Sequence, residues 1–453
     1  MGGRTCLRFC LRELVRMSLD KSFYSLNGKR RVKAYRIFSV LFLIALITGC
    51  GGGGSGGGSS PATSNSTSAS ALVPPICADG DSAWYCPQTF FSSSAIQQGS
   101  SGSPQVNVPF TIGNFETLNS SGNHVIPIGG PNSTFDWGLP FYFNQNVYIG
   151  IKGKSSSLGT GPLFASGPFS QSSQSSSDVN VMPITVDGNL CIQGAYNNEP
   201  CVSVKVCAPG STTNCPVING ILLDTGSYGL RIFKSELNGV ALTQTNAGNG
   251  GQLAECMQFA DGSAEWGPVE IADVTLGSGS GETAKSVPIQ VIDSTFPGSS
   301  NCNGILDTSP SAVGYNGILG VGPLAQDCGQ PCTDPNNFSQ VTVWPYWSCN
   351  NGSCAKTTVS IQNQVQNPVS SLPQPDNNGV VVELPGVSNS GAASLSGSLV
   401  LGIGTDNNNT PSGVTTLPLD PFDGDFTTIY NNASYTDSFI DTGSNGLFFP
   451  QAK

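Results

Sequence analysis

Apolar residues in this chain come in short runs. Residues 202–206, 287–292, 380–384 and 398–403 are rich in Val, Ile and Leu and are bounded by Gly, Pro, Asn or Asp. Runs of that length and type, closed off by turn formers, predict β-strands. No stretch keeps the 3.6-residue apolar period of an amphipathic helix for more than about three turns. The expected fold is therefore mainly β.

One apolar run is of another kind. Residues 37–47 follow a basic patch at 30–36 and end on Thr48-Gly49-Cys50. A basic region, a short apolar core and small residues at its end predict a signal peptide. About a dozen apolar residues are too few for a membrane-spanning helix. Ile47-Thr48-Gly49-Cys50 resembles a bacterial lipobox, which implies lipidation at Cys50. The alternatives are an ordinary secretory signal, or an amphipathic anchor with a chance cysteine. Residues 51–71 are almost entirely Gly, Ser, Thr, Ala and Asn, the composition of a flexible tether. Gly51 after the cysteine, in place of Asp, favours the outer membrane of a bacterial cell envelope. Two further weakly patterned stretches divide the body. The expected organisation is a leader (1–49), lipidated Cys and tether (50–71), a segment at 72–166, a Ser-rich linker (167–180), a segment at 181–345, a connection (346–375) and a last segment (376–453).

Charge changes the picture once the leader is set aside. The whole chain has 18 basic and 29 acidic residues, a net charge of -11. Ten of the basic residues and two of the acids precede Cys50, so the remainder carries 8 and 27, a net charge near -19. Such a surface repels nucleic acid, and no nucleic-acid partner is expected. Of 15 cysteines, twelve lie beyond Cys50. They fall into close sequential pairs, 77 with 86, 191 with 201, 207 with 215, 328 with 332 and 349 with 354, leaving Cys256 and Cys302 to bridge a longer excursion. An oxidising compartment is the leading reading. A metal cluster is the alternative, weakened by the absence of any C-x-x-C pair and by a single histidine, His124. No metal or organic cofactor is expected.

The chain contains an internal repeat. Ile221-Leu222-Leu223-Asp224-Thr225-Gly226-Ser227-Tyr228-Gly229-Leu230 is answered by Ser438-Phe439-Ile440-Asp441-Thr442-Gly443-Ser444-Asn445-Gly446-Leu447. One Asp-Thr-Gly could be an ordinary turn; two copies in one hydrophobic context predict a site. Each run is a strand leading into a tight loop. Gly226 and Gly443 let the loops turn, Thr225 and Thr442 can bond into the opposite loop, and Ser227 and Ser444 can hold the outer carboxylate oxygens. Asp224 and Asp441 meeting across such an axis cannot both ionise and share a proton. The charged member activates water and the protonated one polarises a carbonyl.

These paired motifs resemble those of pepsin-like aspartic peptidases. The stretches ILLDTGSYGLRI, FIDTGSNGLFF and FDWGLPFYFNQNVY resemble an uncharacterised bacterial family grouped with those peptidases, over most of 72–453. The resemblance implies a two-lobed fold with pseudo-twofold symmetry, a peptide or protein substrate, and attachment to a lipid bilayer through the N-terminal anchor. Gly317-Ile318-Leu319-Gly320 looks like the element that supports the first Asp loop. Residues 257–266 look like the flap hairpin over the cleft, with Phe259 at or near the place of the usual flap tyrosine and Trp266 as a second cleft-wall candidate. Asp307-Thr308-Ser309 has Ser where the turn glycine belongs and reads as a surface turn, and His124 as a satisfied or solvent-exposed residue.

The order of the pieces is unusual. Only 12 residues follow Asp441, whereas Gly320 lies 96 residues beyond Asp224. The block around Asp136-Trp137-Gly138 resembles the closing element of a second lobe, yet it stands upstream. The expectation is a circularly permuted second lobe, with 72–166 completing 376–453. A misassembled gene or a truncated paralogue is the alternative. For function, an exported aspartic-type peptidase leads. A peptide- or glycan-binding surface lipoprotein on the same fold, or a structural envelope spacer, are the rivals.

Overall fold

The computed structural model describes residues 73–78, 81–170, 178–194, 196–338 and 344–451. The leader, Cys50 and the whole of the tether lie outside the described residues, as does the middle of the Ser-rich linker. The protein is mainly β. Its longest helix among the described residues is the five-residue turn Phe115–Asn119, and none is long and apolar enough to cross a membrane.

The four apolar runs are strands, Cys201–Cys207, Glu282–Ile292, Gly379–Leu384 and Leu395–Leu401. Cys201–Cys207 buries alternate side chains, Val202, Val204 and Val206, as a strand with one face on the core must. Gly379–Leu384 is buried throughout, because Gln145–Gly150 and Leu395–Leu401 pair with its two edges and further layers cover its faces. These strands belong to a large closed sheet whose members run from residue 145 to residue 418.

A second sheet is built from both ends of the body. Its seven strands run in the order Gln105–Ile112, Phe91–Gln98, Phe426–Tyr430, Ala433–Ile440, Asp136–Trp137, Leu447–Phe449, Gly129–Pro131. Leu447–Phe449, which follows Asp441, is held between Asp136–Trp137 and Gly129–Pro131. Segment 72–166 thus completes the sheet that 376–453 begins. The join is apolar. Phe135, Trp137 and Phe449 are fully buried and pack with Phe110 and Tyr430. Trp137 donates its ring N–H to Thr428 Oγ1 at 3.1 Å, and Tyr85 donates its hydroxyl to the Phe449 carbonyl at 2.7 Å. Truncating one such aromatic costs about 3–5 kcal/mol, so the two ends of the body depend on each other.

All twelve cysteines beyond Cys50 are in disulfides, paired as the spacing suggested, with Cys256–Cys302 the longest bridge. Tyr346–Lys356, expected as the start of a connection, is instead a hairpin of Tyr346–Asn350 and Ser353–Lys356 that extends the sheet beside Gln252–Gln258. Its Cys349–Cys354 clip closes the turn, a tertiary constraint that outweighs a polar, weakly β sequence.

Candidate active site

The two repeats share one register. Leu223 lies opposite Leu319 of the parallel strand Gly317–Val321, which also pairs antiparallel with Tyr228–Phe233 through Leu230. Ile440 lies opposite Trp137 of the parallel strand Asp136–Trp137, which pairs antiparallel with Leu447–Phe449 through Leu447. Each Asp loop therefore leaves one strand, turns, and returns beside a third strand inserted between. In the first repeat that third strand is downstream; in the second it is upstream.

The loops are locked together by threonines. The Thr225 N–H donates to Thr442 Oγ1 at 3.1 Å, and the Thr442 N–H donates to Thr225 Oγ1 at 2.9 Å. Each hydroxyl in turn donates across to the opposite strand, Thr442 to the Leu223 carbonyl at 2.6 Å and Thr225 to the Ile440 carbonyl at 3.3 Å. All these groups are buried, where a made hydrogen bond stabilises and an unmade one costs about 1–3 kcal/mol.

The glycines serve closeness more than turning. A Cβ on Gly226 would stand 2.6 Å from Asp441 Cγ, and one on Gly443 would stand 3.2 Å from Asp224 Cγ. Without side chains there, the two carboxyls can approach one another across the paired loops. Asp224 Oδ1 accepts from the N–H groups of Gly226 and Ser227 at 2.7 and 3.2 Å; Asp441 Oδ1 accepts from Gly443 N–H at 2.7 Å. Burial, then the charges of Asp224 and Asp136, hold the Asp441 carboxyl well above the ordinary carboxylate range. Asp441 keeps some exposure to solvent. The protonation of so close a pair belongs to both members.

The serines are not equivalent. Ser444 Oγ lies 2.8 Å from Asp441 Oδ2, as expected. Ser227 Oγ does not hold Asp224; it is buried without a hydrogen-bond partner, and only the backbone N–H of that residue reaches the carboxylate. The flap expectation is also altered. Residues 252–276 form a hairpin, with Phe259 half-buried at its tip and bonded across the turn to Ser263. Trp266 is no cleft wall. It is fully buried, donates to the Phe296 carbonyl at 3.1 Å and packs beside the Cys256–Cys302 bridge, because strand register sets it opposite Cys256. Asp307 is not a surface turn residue either. It is 6% exposed, accepts from the Tyr315 hydroxyl at 3.1 Å, and is pushed by burial up to about 7. His124 is half-buried, its Nδ1 3.3 Å from Asn197 Oδ1.

Three contributors were not assigned to the site from sequence, although Asp136 stood in the block read as a closing element. Asp136 Oδ2 lies 2.6 Å from Ser444 Oγ. Tyr142, on the turn Leu139–Tyr142, is buried with its hydroxyl 2.7 Å from Thr225 Oγ1. Both sit inside the FDWGLPFYF stretch, where a carboxyl among aromatics was the available signal. The third is Arg231, fully buried, with Glu255, Asp327 and Glu265 at 3.1, 3.5 and 3.7 Å. It ties the strand after the Asp224 loop to both arms of the hairpin, and it is the one charge in the apolar run that follows Ser227.

The grouping of potential metal ligands among the described residues is Cys77, Cys86 and Glu116. Both sulfurs there are consumed by a disulfide, so they offer no thiolate. A family described as "Protein of unknown function (DUF3443)" matches residues 58–166 and 176–453, and the chain belongs to that family. No curated protein matches it.

Proposed function

We propose that this family member is an exported aspartic-type peptidase, hydrolysing peptide bonds with a water activated between Asp224 and Asp441. The observation that carries this reading is the reciprocal Thr225–Thr442 lock, which presses two like-charged carboxyls together. Holding two carboxyls in contact is costly unless they share a proton, and a shared proton is what acid–base hydrolysis requires. One carboxylate takes a proton from water as its oxygen attacks the peptide carbonyl carbon. The other carboxyl gives its proton to the carbonyl oxygen. The tetrahedral adduct then collapses: the C–N bond breaks, the amine nitrogen takes the proton the first carboxyl received from water, a hydroxyl of the adduct returns a proton to the second carboxylate, and the dyad again holds one proton.

In this reading the fold is pepsin-like and two-lobed. Residues 181–345 form one lobe, and 376–453 completed by 72–166 form the other, a circular permutation. The repeated register around the two loops supports the pseudo-twofold relation, and the pairing of Leu447–Phe449 with upstream strands supports the permutation. The hairpin carrying Phe259 would act as the flap. Six disulfides support an oxidising compartment, consistent with export and attachment to the bacterial cell envelope through a lipid on Cys50.

The test is cleavage of a diverse peptide library between about pH 3 and pH 7, comparing the wild type with Asp224→Asn and Asp441→Asn. Cleavage by the wild type that both variants abolish is expected. Equal cleavage by all three, or none by the wild type at any pH, refutes the peptidase reading and leaves a peptide- or glycan-binding role for the cleft.

A further inference from the structure

The two repeats differ at one chemically decisive position. The strand inserted beside the first loop carries Ile318 next to Leu319; the strand inserted beside the second carries Asp136 next to Trp137, in the same register. Both residues are buried, at 3% and 5% exposure. A carboxyl in an apolar slot is unfavourable unless its oxygens are hydrogen-bonded. Asp136 Oδ2 meets Ser444 Oγ at 2.6 Å, and that oxygen meets Asp441 Oδ2 at 2.8 Å. In the first repeat, the matching Ser227 hydroxyl has no partner.

A serine hydroxyl has one hydrogen and cannot donate to both carboxyls at once. If it donates to one, the other must be protonated and donate to it. We propose that Asp136 is a positioning residue that, through Ser444, places the shared proton on Asp441 and leaves Asp224 as the ionised member that deprotonates water. In the resting site the Asp441 hydroxyl donates to Ser444 and Ser444 donates to the Asp136 carboxylate. When Asp441 gives its proton to the substrate carbonyl oxygen, the Ser444 hydroxyl swings its hydrogen to the new Asp441 carboxylate. No proton is gained or lost by Ser444 or Asp136.

The surrounding field agrees with this polarity. Asp224, at the end of Val217–Asp224, and Asp136 both disfavour charge on Asp441, and Tyr142 on the turn above feels the same three carboxyls. Beside burial, the groups that act most on Asp441 and Tyr142 are carboxyls and hydroxyls. The catalytic consequence rests on the peptidase reading; the proton placement does not.

The experiment uses the full chain with Asp136→Asn, Asp136→Ile (the residue of the first repeat) and Ser444→Ala. With a peptide cleaved by the wild type, the alkaline limb of kcat against pH moves toward acid by about one pH unit in both Asp136 variants, as expected for removing a like charge at this range. KM changes by less than about twofold, since substrate binding is not touched. Asp136→Asn combined with Ser444→Ala shifts the limb no further than Asp136→Asn alone. A second readout needs no substrate: the protonated-carboxyl infrared band that Asp441→Asn removes, followed by pH titration, disappears at lower pH in Asp136→Asn than in the wild type. An unmoved infrared midpoint overturns the proposal whether or not the chain cleaves peptides. So does a uniform loss of kcat at every pH with the limb unmoved, which is the mark of a merely structural Asp136. If the wild type cleaves nothing, the peptidase reading falls and the infrared titration alone decides where the proton sits.

Discussion

Replacing Thr442 by Val tests the lock on which the site depends. Val keeps the shape and branching of Thr but removes Oγ1. Two buried groups then lose their partner, the Thr225 N–H at 3.1 Å and the Leu223 carbonyl at 2.6 Å. At about 1–3 kcal/mol for each unsatisfied buried group, the expected loss is about 4 kcal/mol. With a urea m-value of about 3 kcal/mol/M, the unfolding midpoint falls by about 1.3 M. Thr442→Ser is the control. It keeps the hydroxyl and loses one methyl, for about 1 kcal/mol. Thr225→Val closes a double-mutant cycle, since the Thr225 hydroxyl meets Thr442 N–H, the Ile440 carbonyl and Tyr142. Interlocked loops give a coupling energy above about 0.5 kcal/mol. Equilibrium urea unfolding followed by tryptophan fluorescence, with disulfides intact, measures all five proteins: the wild type, the three single variants and the Thr225→Val/Thr442→Val double variant. A Thr442→Val protein no less stable than Thr442→Ser, with an additive cycle, would refute the interlock.

The remaining predictions concern charge and cross-links. Burial raises Asp307 to about 7 and Glu199 to about 8, and raises Asp441 and Glu265 as well. The folded state therefore binds more protons than the unfolded one, so stability is full below about pH 4 and falls as pH rises toward 8. Calorimetry should find a lower Tm at pH 8 than at pH 5, and a rising Tm would contradict these raised carboxyls. Arg231→Met leaves Glu255, Glu265 and Asp327 buried without their cation, at a cost of about 3–5 kcal/mol near neutral pH. Urea unfolding with the disulfides intact measures that cost. Removing the Cys256–Cys302 bridge, which closes a 46-residue separation, should cost about 4 kcal/mol by loop entropy. Removing Cys328–Cys332, with a separation of 4, should cost about 2 kcal/mol in the same denaturation assay.

Features that depend on neighbours along the chain were legible beforehand. Strand runs bounded by turn formers, the doubled Asp-Thr-Gly-Ser and the short cysteine spacings are local patterns, and local patterns survive into the fold because they set what each segment can do. Features that depend on which face a side chain turns to, and on what meets it there, were not. Trp266 and Phe259 stand in one hairpin, yet cross-strand register buries the first behind a disulfide and leaves the second at the tip. Ser227 and Ser444 each stand in Asp-Thr-Gly-Ser-x-Gly-Leu, yet only Ser444 has a carboxyl waiting beyond it. Asp307 looked like turn material and is enclosed by Tyr315 and the hairpin.

Sequence by itself determined a mainly β chain with two matched carboxylate loops and a set of disulfide clips, because hydrophobic period, turn chemistry and cysteine spacing are written into consecutive residues. Tertiary structure alone decided that strands some 300 residues apart, Asp136–Trp137 and Ala433–Ile440, lie side by side. It decided, too, that a third carboxyl stands behind Asp441 while an isoleucine occupies the matching place behind Asp224. Those juxtapositions come from the pairing and packing of the whole sheet, and no stretch of sequence contains both partners.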